Sequence, residues 1–341
     1  MQNILINKKK YIIFIISILL SASACSSQKK EDNIKNIMSL AESGNLDAQV
    51  VLGQHYLDGE KIPKNIDQAI YWFKKAADRG DTLAQNYLGL IYRDNTYGHE
   101  DLDQAIDWYR LAAQKNDVGA QSELGEVLFR KGGSEHYAEI IHWLSLAAKQ
   151  GNAYAQNNLA MMYKDGLGVS PDYKKAAELW KKAADQQLAD AEYNLGTLYF
   201  HGDGVVQDYA IAKDYYQKAA QHGNQEAEVG LATLYSFGYG VAKDENKAIE
   251  ILQAATEKNN AKAMYNLASI YLSNQKLLDE NKTKVIDLLT RAANLGLPEA
   301  MYNLGAIYKK GGNVVEIDPE KSNYWFQKAA DSGLKIAQEQ L

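Results

Sequence analysis

Few side chains in this sequence have the types and spacing that catalysis or metal binding requires. The histidines form no His-Glu-x-x-His motif and no other metal-ligand pattern; they are His55, His99, His136, His142, His201 and His222. The chain also lacks a Gly-x-Ser-x-Gly nucleophile elbow and a Walker-type phosphate loop. We therefore predict that the protein is not an enzyme and that it holds no metal ion and no cofactor.

Two short matches to Ser-x-x-Lys, a pattern of serine acyl-enzymes, remain. They are Ser273 with Lys276 and Ser332 with Lys335. The partner motifs Ser-Asp-Asn and Lys-Thr-Gly are missing from the sequence. A cell-wall or penicillin-binding enzyme is therefore the least favoured of the functional hypotheses.

The elements that would position any site come from a repeat that fills most of the chain. It is marked by regularly spaced alanines: Ala48, Ala84, Ala120, Ala155, Ala191, Ala227, Ala263, Ala300 and Ala337. A period of this length is typical of a solenoid, whose units bury their apolar faces only against their neighbours. The sequence predicts an all-α fold, an α/α solenoid of about eight helix-turn-helix repeats.

The first helix of each repeat is predicted from an apolar face that starts at this alanine. One helical turn later, on the same face, stands a leucine: Leu52, Leu88, Leu124, Leu159, Leu195, Leu231, Leu267 or Leu304. The next residue is small: Gly53, Gly89, Gly125, Ala160, Gly196, Ala232, Ala268 or Gly305. Because glycine inside a helix costs about 1 kcal/mol relative to alanine, we expect a neighbouring helix to approach closely there.

The second helix is predicted around an Ala-Ala pair such as Ala76-Ala77, preceded by bulky side chains such as Trp72 and Phe73. This alternation of large and small side chains suits facing helices. Its end is marked by residues that tolerate the left-handed conformation: Gly80, Gly151, Gly223, Gly296, Gly333, Asn116 and Asn259. Glycine pairs such as Gly202/Gly204 are predicted as turns, since a dinucleotide-binding loop needs a preceding strand and a third glycine.

These runs, Ala-x-x-x-Leu-Gly-x-x-Tyr, Gly-x-Gly-Val and Ala-x-x-Trp-x-x-x-Ala-Ala-x-x-Gly, resemble the Sel-one-like repeat, a relative of the tetratricopeptide repeat. The resemblance implies paired antiparallel helices stacked into a right-handed superhelix whose concave face binds other proteins. We expect the solenoid at residues 33–341, with half a repeat at 33–43 and a ninth first helix begun at Ala337. The third and seventh copies lack the Gly-x-Gly turn, so their inter-helix geometry is less firmly predicted.

The resemblance also implies which side chains bind a partner. In tetratricopeptide relatives, the second and third residues after the repeat's alanine face the groove, where amide side chains bond a peptide backbone. Here those positions include Asn86, Tyr87, Asn157, Asn158, Tyr193, Asn194, Tyr265, Asn266, Tyr302 and Asn303. An equally weighted alternative is that the asparagines hydrogen-bond within the repeats.

The N-terminus has the layout of a secretory signal, with lysines at 8–10, an apolar run at 11–20 and small residues before Cys25. Small residues leading to one cysteine resemble a bacterial lipobox, although Ala22 stands where leucine is usual. We expect a signal peptide at 1–24, then a lipidated Cys25 with a short polar spacer to residue 32. An ordinary signal peptide cleaved near Ala24 is the alternative.

The charge composition limits the classes of partner that we expect. The formal net charge is −6, and loss of the signal-peptide lysines makes the mature chain more acidic. This balance argues against nucleic acid and against adsorption to anionic lipid, so the membrane is expected to be reached through the lipid anchor. Because Ser26 resembles an outer-membrane sorting signal, we expect a lipoprotein of the bacterial cell envelope at the outer membrane, facing the periplasm.

Two binding functions fit these expectations. The favoured one is a lipid-anchored, non-enzymatic adaptor that holds an unknown protein or peptide partner on its concave face. The alternative is an immunity protein that neutralises a secreted phospholipase effector of type VI secretion, because lipoproteins with these repeats resemble such proteins.

Overall fold

A computed structural model of the protein describes residues 27–341, with side chains from residue 33. The signal segment predicted at 1–24 and Cys25 lie outside the described residues. Residues 27–341 form α-helices, short 3₁₀ turns and loops, and they contain no β-strand. None of the helices in this range is long and apolar enough to span a bilayer. The predicted all-α fold is confirmed.

The chain divides into two compact units, and the first ends at Asp117. Its helices are α1 (Ser27–Glu42), α2 (Leu46–Asp58), α3 (Ile66–Ala77), α4 (Thr82–Arg93) and α5 (Leu102–Ala113).

The second unit runs from Val118 to Leu341. Its helices are α6 (Val118–Lys131), α7 (Tyr137–Lys149), α8 (Ala153–Asp165), α9 (Tyr173–Ala184), α10 (Ala189–His201), α11 (Tyr209–Gln221), α12 (Gln225–Phe237), α13 (Glu245–Glu257), α14 (Ala261–Ser273), α15 (Gln275–Asn294), α16 (Pro298–Lys310), α17 (Pro319–Asp331) and α18 (Lys335–Gln338). The short α18 is the ninth first helix that the sequence predicts.

Most helices begin at an asparagine or aspartate whose side chain accepts a hydrogen bond from a backbone N–H of the first turn. Asn45, Asp81 and Asn152 do this for first helices, and Asp101, Asp172 and Asp208 for second helices. Such a cap satisfies a donor that the helix itself cannot pair, and it is worth about 1 kcal/mol. The caps therefore fix where each helix starts.

Within each unit, consecutive helices pack as the predicted hairpins. A first helix packs along the second helix of its own repeat, which in turn packs on the first helix of the next repeat. In the second unit, neighbouring first helices also touch each other, as α6 touches α8 and α12 touches α14. No pair of neighbouring second helices makes a comparable contact in residues 27–341. In these two pairs the first helices thus lie closer together than neighbouring second helices do.

The close helix approach predicted at the glycines is confirmed. A Cβ at Gly53 would lie 2.6 Å from the Phe73 ring, and one at Gly89 would lie 2.7 Å from the Tyr109 ring. Both rings belong to the second helix of the same repeat and are buried. The flat ring therefore occupies the space that a side chain on the first helix would need.

The Gly-x-Gly segments are turns, as predicted, and their second glycine contacts the preceding repeat. A Cβ at Gly204 would lie 2.5 Å from the backbone carbon of Tyr173, and one at Gly240 would lie 2.6 Å from the Cβ of Tyr209. Both glycines also have positive φ, +69° and +65°. Glycine is thus required by conformation and by space.

The second helices end in the left-handed conformation at all seven predicted positions, and also at Gln187 with φ 63°. Gln187 was not predicted because glutamine carries no conformational signal for such an end.

Two element boundaries differ from the sequence prediction. The half repeat begins at Ser27 instead of residue 33, so most of the segment predicted as a spacer is helical. In the seventh repeat, α15 starts at Gln275 directly after the Asn274 cap and kinks at Asn281. The Asn281 side chain donates to the Leu277 carbonyl at 2.9 Å. A helical turn therefore replaces the glycine turn.

Candidate binding surface

The candidate surface lies on the first helices, beside the buried face. The repeat's alanine and the leucine four residues later are buried, for example Ala191 and Leu195. The third residue after the alanine is half-buried throughout the second unit. We call four of these residues the asparagine row: Asn158, Asn194, Asn266 and Asn303. Their side chains border the helix pair and still reach solvent.

In repeats four and five the asparagines bond one another. The Asn157 Oδ1 accepts from Trp180 Nε1 at 3.0 Å and from Asn194 Nδ2 at 3.3 Å. The Asn157 Nδ2 donates to Asn158 Oδ1 at 3.1 Å. Asn157 is only 8% exposed, and its partners belong to its own helix, to α9 and to α10. This amide cluster joins two repeats, so these side chains have a packing role.

In repeats seven and eight the asparagine row is not engaged in this way. Within the part of the chain that the structure describes, the side chains of Asn266 and Asn303 make no hydrogen bond to the protein. Both are half-buried, so their amide groups face solvent in part. Each keeps two donors and an acceptor for a ligand.

The tyrosines predicted in the groove pack against second helices and are also half-buried. The Tyr193 ring lies 5.7 Å from the Tyr216 ring, and the Tyr302 ring meets Phe326 edge-on at 5.3 Å. Tyr265 packs against the core of the last repeats. Burial raises the pKa of Tyr193. These rings are held by the fold, and only part of each is available to a partner.

Tyr216 itself is 5% exposed, and its hydroxyl lies 3.3 Å from the Thr197 hydroxyl. Burial raises the pKa of Tyr216 to about 12. Thr197 also donates to the Tyr193 carbonyl at 3.0 Å. The hydroxyl network of repeat five is therefore internal.

Two of the residues predicted to face the groove, Asn86 and Tyr87, lie in the first unit, and they also differ in whether the fold satisfies their side chains. The Tyr87 ring stacks on Phe73 with centroids 4.7 Å apart, and its hydroxyl accepts from Gln54 Nε2 at 2.5 Å. Burial raises the pKa of Tyr87. The neighbouring Asn86 Oδ1 is buried and has no hydrogen-bond partner among the described residues. Tyr87 is thus a packing residue, with one unsatisfied amide oxygen beside it.

Sequence reasoning missed a ladder at the first residue after the repeat's alanine. Gln49 donates to the Ala41 carbonyl at 3.0 Å, Gln85 to Ala77 at 3.2 Å and Gln156 to Ala148 at 3.1 Å. Each carbonyl lies at the end of the preceding second helix, so each glutamine pins two repeats together. Glutamine follows the alanine in the first four repeats, and this recurrence is the sequence signal that could have predicted the ladder.

In repeat five this position is Glu192, which is 2% exposed. Its carboxylate lies 2.7 Å from His222 Nδ1. His222 caps the end of α11, so this pair links the two ends of a helix hairpin. One histidine of the sequence therefore has a structural role.

The serines of the two Ser-x-x-Lys matches donate hydrogen bonds to backbone carbonyls at the ends of helices. Ser273 Oγ donates to the Ile270 carbonyl at 2.8 Å, and Ser332 Oγ donates to the Lys328 carbonyl at 2.8 Å. Across residues 27–341, no group of three or more histidine, cysteine, aspartate or glutamate side chains is arranged to hold a metal ion. Neither of these hydrogen bonds joins the serine to the side chain of the lysine in its Ser-x-x-Lys match.

Stacked helix hairpins with half-exposed amides and rings define a class of helical-repeat interaction proteins. Eight consecutive stretches match the Sel1 repeat, at residues 46–81, 82–117, 119–152, 153–188, 189–224, 225–260, 261–297 and 298–334. The chain belongs to the Sel1 repeat family, which confirms the predicted resemblance. Proteins of this fold are in general protein-interaction scaffolds without enzymatic activity.

Solved structures with the same fold include two with high structural similarity. A protective antigen present in uropathogenic Escherichia coli strains, displaying an SLR fold, is 33% identical with a TM-score of 0.70, and the match covers 90% of this chain and 66% of that chain. A Sel1 repeat protein from Oxalobacter formigenes is 25% identical with a TM-score of 0.69, covering 90% of this chain and 89% of that chain. This chain thus spans slightly less than two thirds of the length of the first.

An immunity protein from Pseudomonas aeruginosa is more distant, with 23% identity and a TM-score of 0.45 over 62% of this chain and 83% of that chain. That likeness carries no argument about function. No curated protein matches the sequence.

Proposed function

We propose that the protein is a lipid-anchored, non-enzymatic adaptor that binds an extended segment of a partner protein on the first helices of repeats seven and eight. The observation that carries this proposal is the state of Asn266 and Asn303. Their amides are half-exposed and make no hydrogen bond within the described residues. An amide side chain donates and accepts at once, which matches the alternating N–H and C=O groups of a peptide backbone.

Aromatic rings beside these amides support the same site. Tyr265 and Tyr302 each precede an asparagine of the row, and each is packed against a second helix. A ring that is already fixed loses little conformational entropy when a partner binds, so it serves as an anchor. The surface therefore offers hydrogen bonds and apolar contact in neighbouring repeats.

The surface suits a partner that contacts several repeats. A neutral hydrogen bond contributes about 0.5–1.5 kcal/mol net, so a single asparagine gives weak binding. A partner that spans repeats seven and eight would use two amides and two rings. We expect an extended segment for this reason, since a compact contact would reach only one repeat.

Photo-crosslinking tests this site. A photoreactive amino acid in place of Asn303 is expected to give a discrete adduct in intact cells. The matched control replaces Asn246, an exposed residue of the second helix α13. Equal adducts at both positions, or none at 303, would contradict the proposal.

The anchor is proposed from the sequence, since Cys25 precedes the described residues. Helix α1 begins at Ser27, so a lipid on Cys25 would hold the first helix against the membrane by a very short tether. We further propose the outer membrane, facing the periplasm, as the location. Cells supplied with labelled palmitate should label the wild type and the Ser26→Ala control but not Cys25→Ser. Label retained in Cys25→Ser would reject the anchor.

A further inference from the structure

A second surface lies at the ends of helices in repeats five and six. We call it the aromatic edge; it consists of Phe200, Tyr209, Phe237 and Tyr239. Tyr209 and Tyr239 stack with ring centroids 5.0 Å apart, and Phe237 stacks on Tyr239 at 5.6 Å. Phe200 meets Tyr209 edge-on at 5.4 Å and Tyr239 edge-on at 5.7 Å. The rings form one continuous cluster across two repeats.

Phe237 and Tyr239 of the cluster are exposed to solvent, whereas Phe200 and Tyr209 are half-buried. Phe237 is 66% exposed, and Val206, in the turn before Tyr209, is 87% exposed. Isolated exposed apolar residues are ordinary, but a contiguous apolar patch on a protein surface marks an interaction site. Phe200 and Tyr209 pack against the core of repeats five and six. Phe237 and Tyr239 are not among the side chains packed against that core, so these two rings are the part of the cluster that a partner can reach.

The aromatic edge is also held in place. Gln207 Nε2 donates to the Phe200 carbonyl at 2.9 Å and to the Tyr209 hydroxyl at 3.0 Å. Gly240 lies directly against Tyr209, where a Cβ would be 2.6 Å from the Tyr209 Cβ. Because the rings are fixed before binding, little entropy is lost when a partner docks.

The charges around the rings select the partner. Two turns carry the aromatic edge, residues 202–208 and 238–244. They contain three aspartates and one lysine: Asp203, Asp208, Asp244 and Lys243. Asp208 and Asp244 each use Oδ1 to cap a helix. Carboxylates and aromatic faces both attract cations, so the rim and the rings favour a positively charged partner.

We propose that the aromatic edge docks a basic protein segment that carries an apolar or aromatic anchor. The anchor side chain packs on Phe237 and Val206, and flanking lysine or arginine side chains lie over the rings and beside Asp203. The aromatic edge shares no residue with the asparagine row, and it belongs to repeats five and six, whereas the proposed adaptor site belongs to repeats seven and eight.

The test uses the mature full-length protein and a fluorescent synthetic peptide of alternating lysine and phenylalanine. One comparison peptide has glutamate for lysine, and another has serine for phenylalanine. Binding is measured by fluorescence anisotropy. We expect wild-type protein to bind only the lysine–phenylalanine peptide, and Phe237→Ser to bind it about tenfold more weakly.

The matched control variant is Ile317→Ser. Ile317 is 65% exposed in the turn of repeat eight, so its loss removes a similar apolar side chain outside the aromatic edge. Ile317→Ser should bind as the wild type does, and Asp203→Asn should lower both the affinity and its salt dependence. Because Phe237, Ile317 and Asp203 are exposed, all three variants should keep the thermal stability of the wild type.

Three results would overturn the proposal. The first is equal weakening by Phe237→Ser and Ile317→Ser. The second is equal binding of the glutamate–phenylalanine peptide. The third is Phe237-dependent cosedimentation with phosphatidylcholine vesicles in the absence of peptide binding, which would make the edge a lipid contact.

Discussion

Repeats four and five use their asparagines differently from repeats seven and eight. Asn194 and Asn266 occupy equivalent positions, but Asn194 donates to Asn157 of the preceding repeat, and Asn266 has no such partner among the described residues. The residue equivalent to Asn157 is Val229 in the repeat before Asn266, and it is Tyr265 in the repeat before Asn303. The preceding repeat therefore decides whether an asparagine of the row serves packing or is left for a partner.

The largest expected effect is a loss of stability when Asn157, the packed asparagine of repeat four, is replaced. Asn157→Ala leaves the buried Trp180 N–H without its acceptor, so we expect the free energy of unfolding to fall by about 2–3 kcal/mol. Urea denaturation measures this. Asn266→Ala, the matched variant, should change stability by less than about 0.5 kcal/mol. An equal loss of unfolding free energy in both variants would contradict the proposed difference between the two asparagines.

High pH gives the next largest effect, through Tyr216. Its pKa is raised to about 12 in the folded protein, against about 10 in an unfolded chain. The folded state therefore holds the proton more tightly, so stability is complete below pH 10 and declines as pH rises towards 12. We expect this residue alone to account for about 2 kcal/mol of loss by pH 12.

The control for this pH effect is Tyr216→Phe, measured by urea denaturation at pH 9 and at pH 12. It removes the titrating hydroxyl but keeps the ring that faces Gly196. The decline between the two pH values should be smaller in this variant. An identical decline would show that the Tyr216 hydroxyl is not held in its neutral form by the fold.

A smaller effect is expected on binding when the free amides are removed. Asn266→Ala and Asn303→Ala should each weaken the partner captured at position 303 by about 1 kcal/mol, or roughly fivefold. Titration calorimetry with the purified partner measures this. Asn246→Ala, an exposed residue of α13, is the control. Unchanged affinity in both row variants would place the partner elsewhere.

The smallest expected effect comes from a substitution that gives Asn266 the hydrogen-bond partner that Asn194 has in repeat five. Val229→Asn places an amide where Asn157 stands in the earlier repeat, so it should accept a hydrogen bond from Asn266. We expect about threefold weaker partner binding, because that bond must be broken first. The same calorimetric titration measures it, and stronger binding would argue against competition between the two roles.

The sequence predicted the framework well because the framework is periodic. Each alanine, such as Ala191, and each leucine, such as Leu195, marks a buried position, and each glycine that follows the leucine lies against a bulky side chain of the second helix. Glutamine follows this alanine only in the first four of the eight repeats, including Gln85 and Gln156, so the ladder has a weaker sequence signal than the apolar face has.

The candidate site could be predicted only as a set of positions. Whether Asn194 or Asn266 is bonded depends on a residue about one repeat earlier, and single helices do not show this. The aromatic edge was missed for a similar reason, since Phe200, Tyr209, Phe237 and Tyr239 come from two repeats and follow no shared period. Contacts between repeats are set by the stacked fold.

The most direct test combines both sides of the comparison in one chain that carries the photoreactive amino acid at position 303. Asn157→Ala and Asn266→Ala are introduced separately, and adduct yield is measured together with urea stability. We predict that Asn266→Ala lowers the adduct yield at unchanged stability, and that Asn157→Ala lowers stability but keeps the adduct under conditions where the chain is folded. The opposite pattern, with the adduct lost only in Asn157→Ala, would contradict the division of roles.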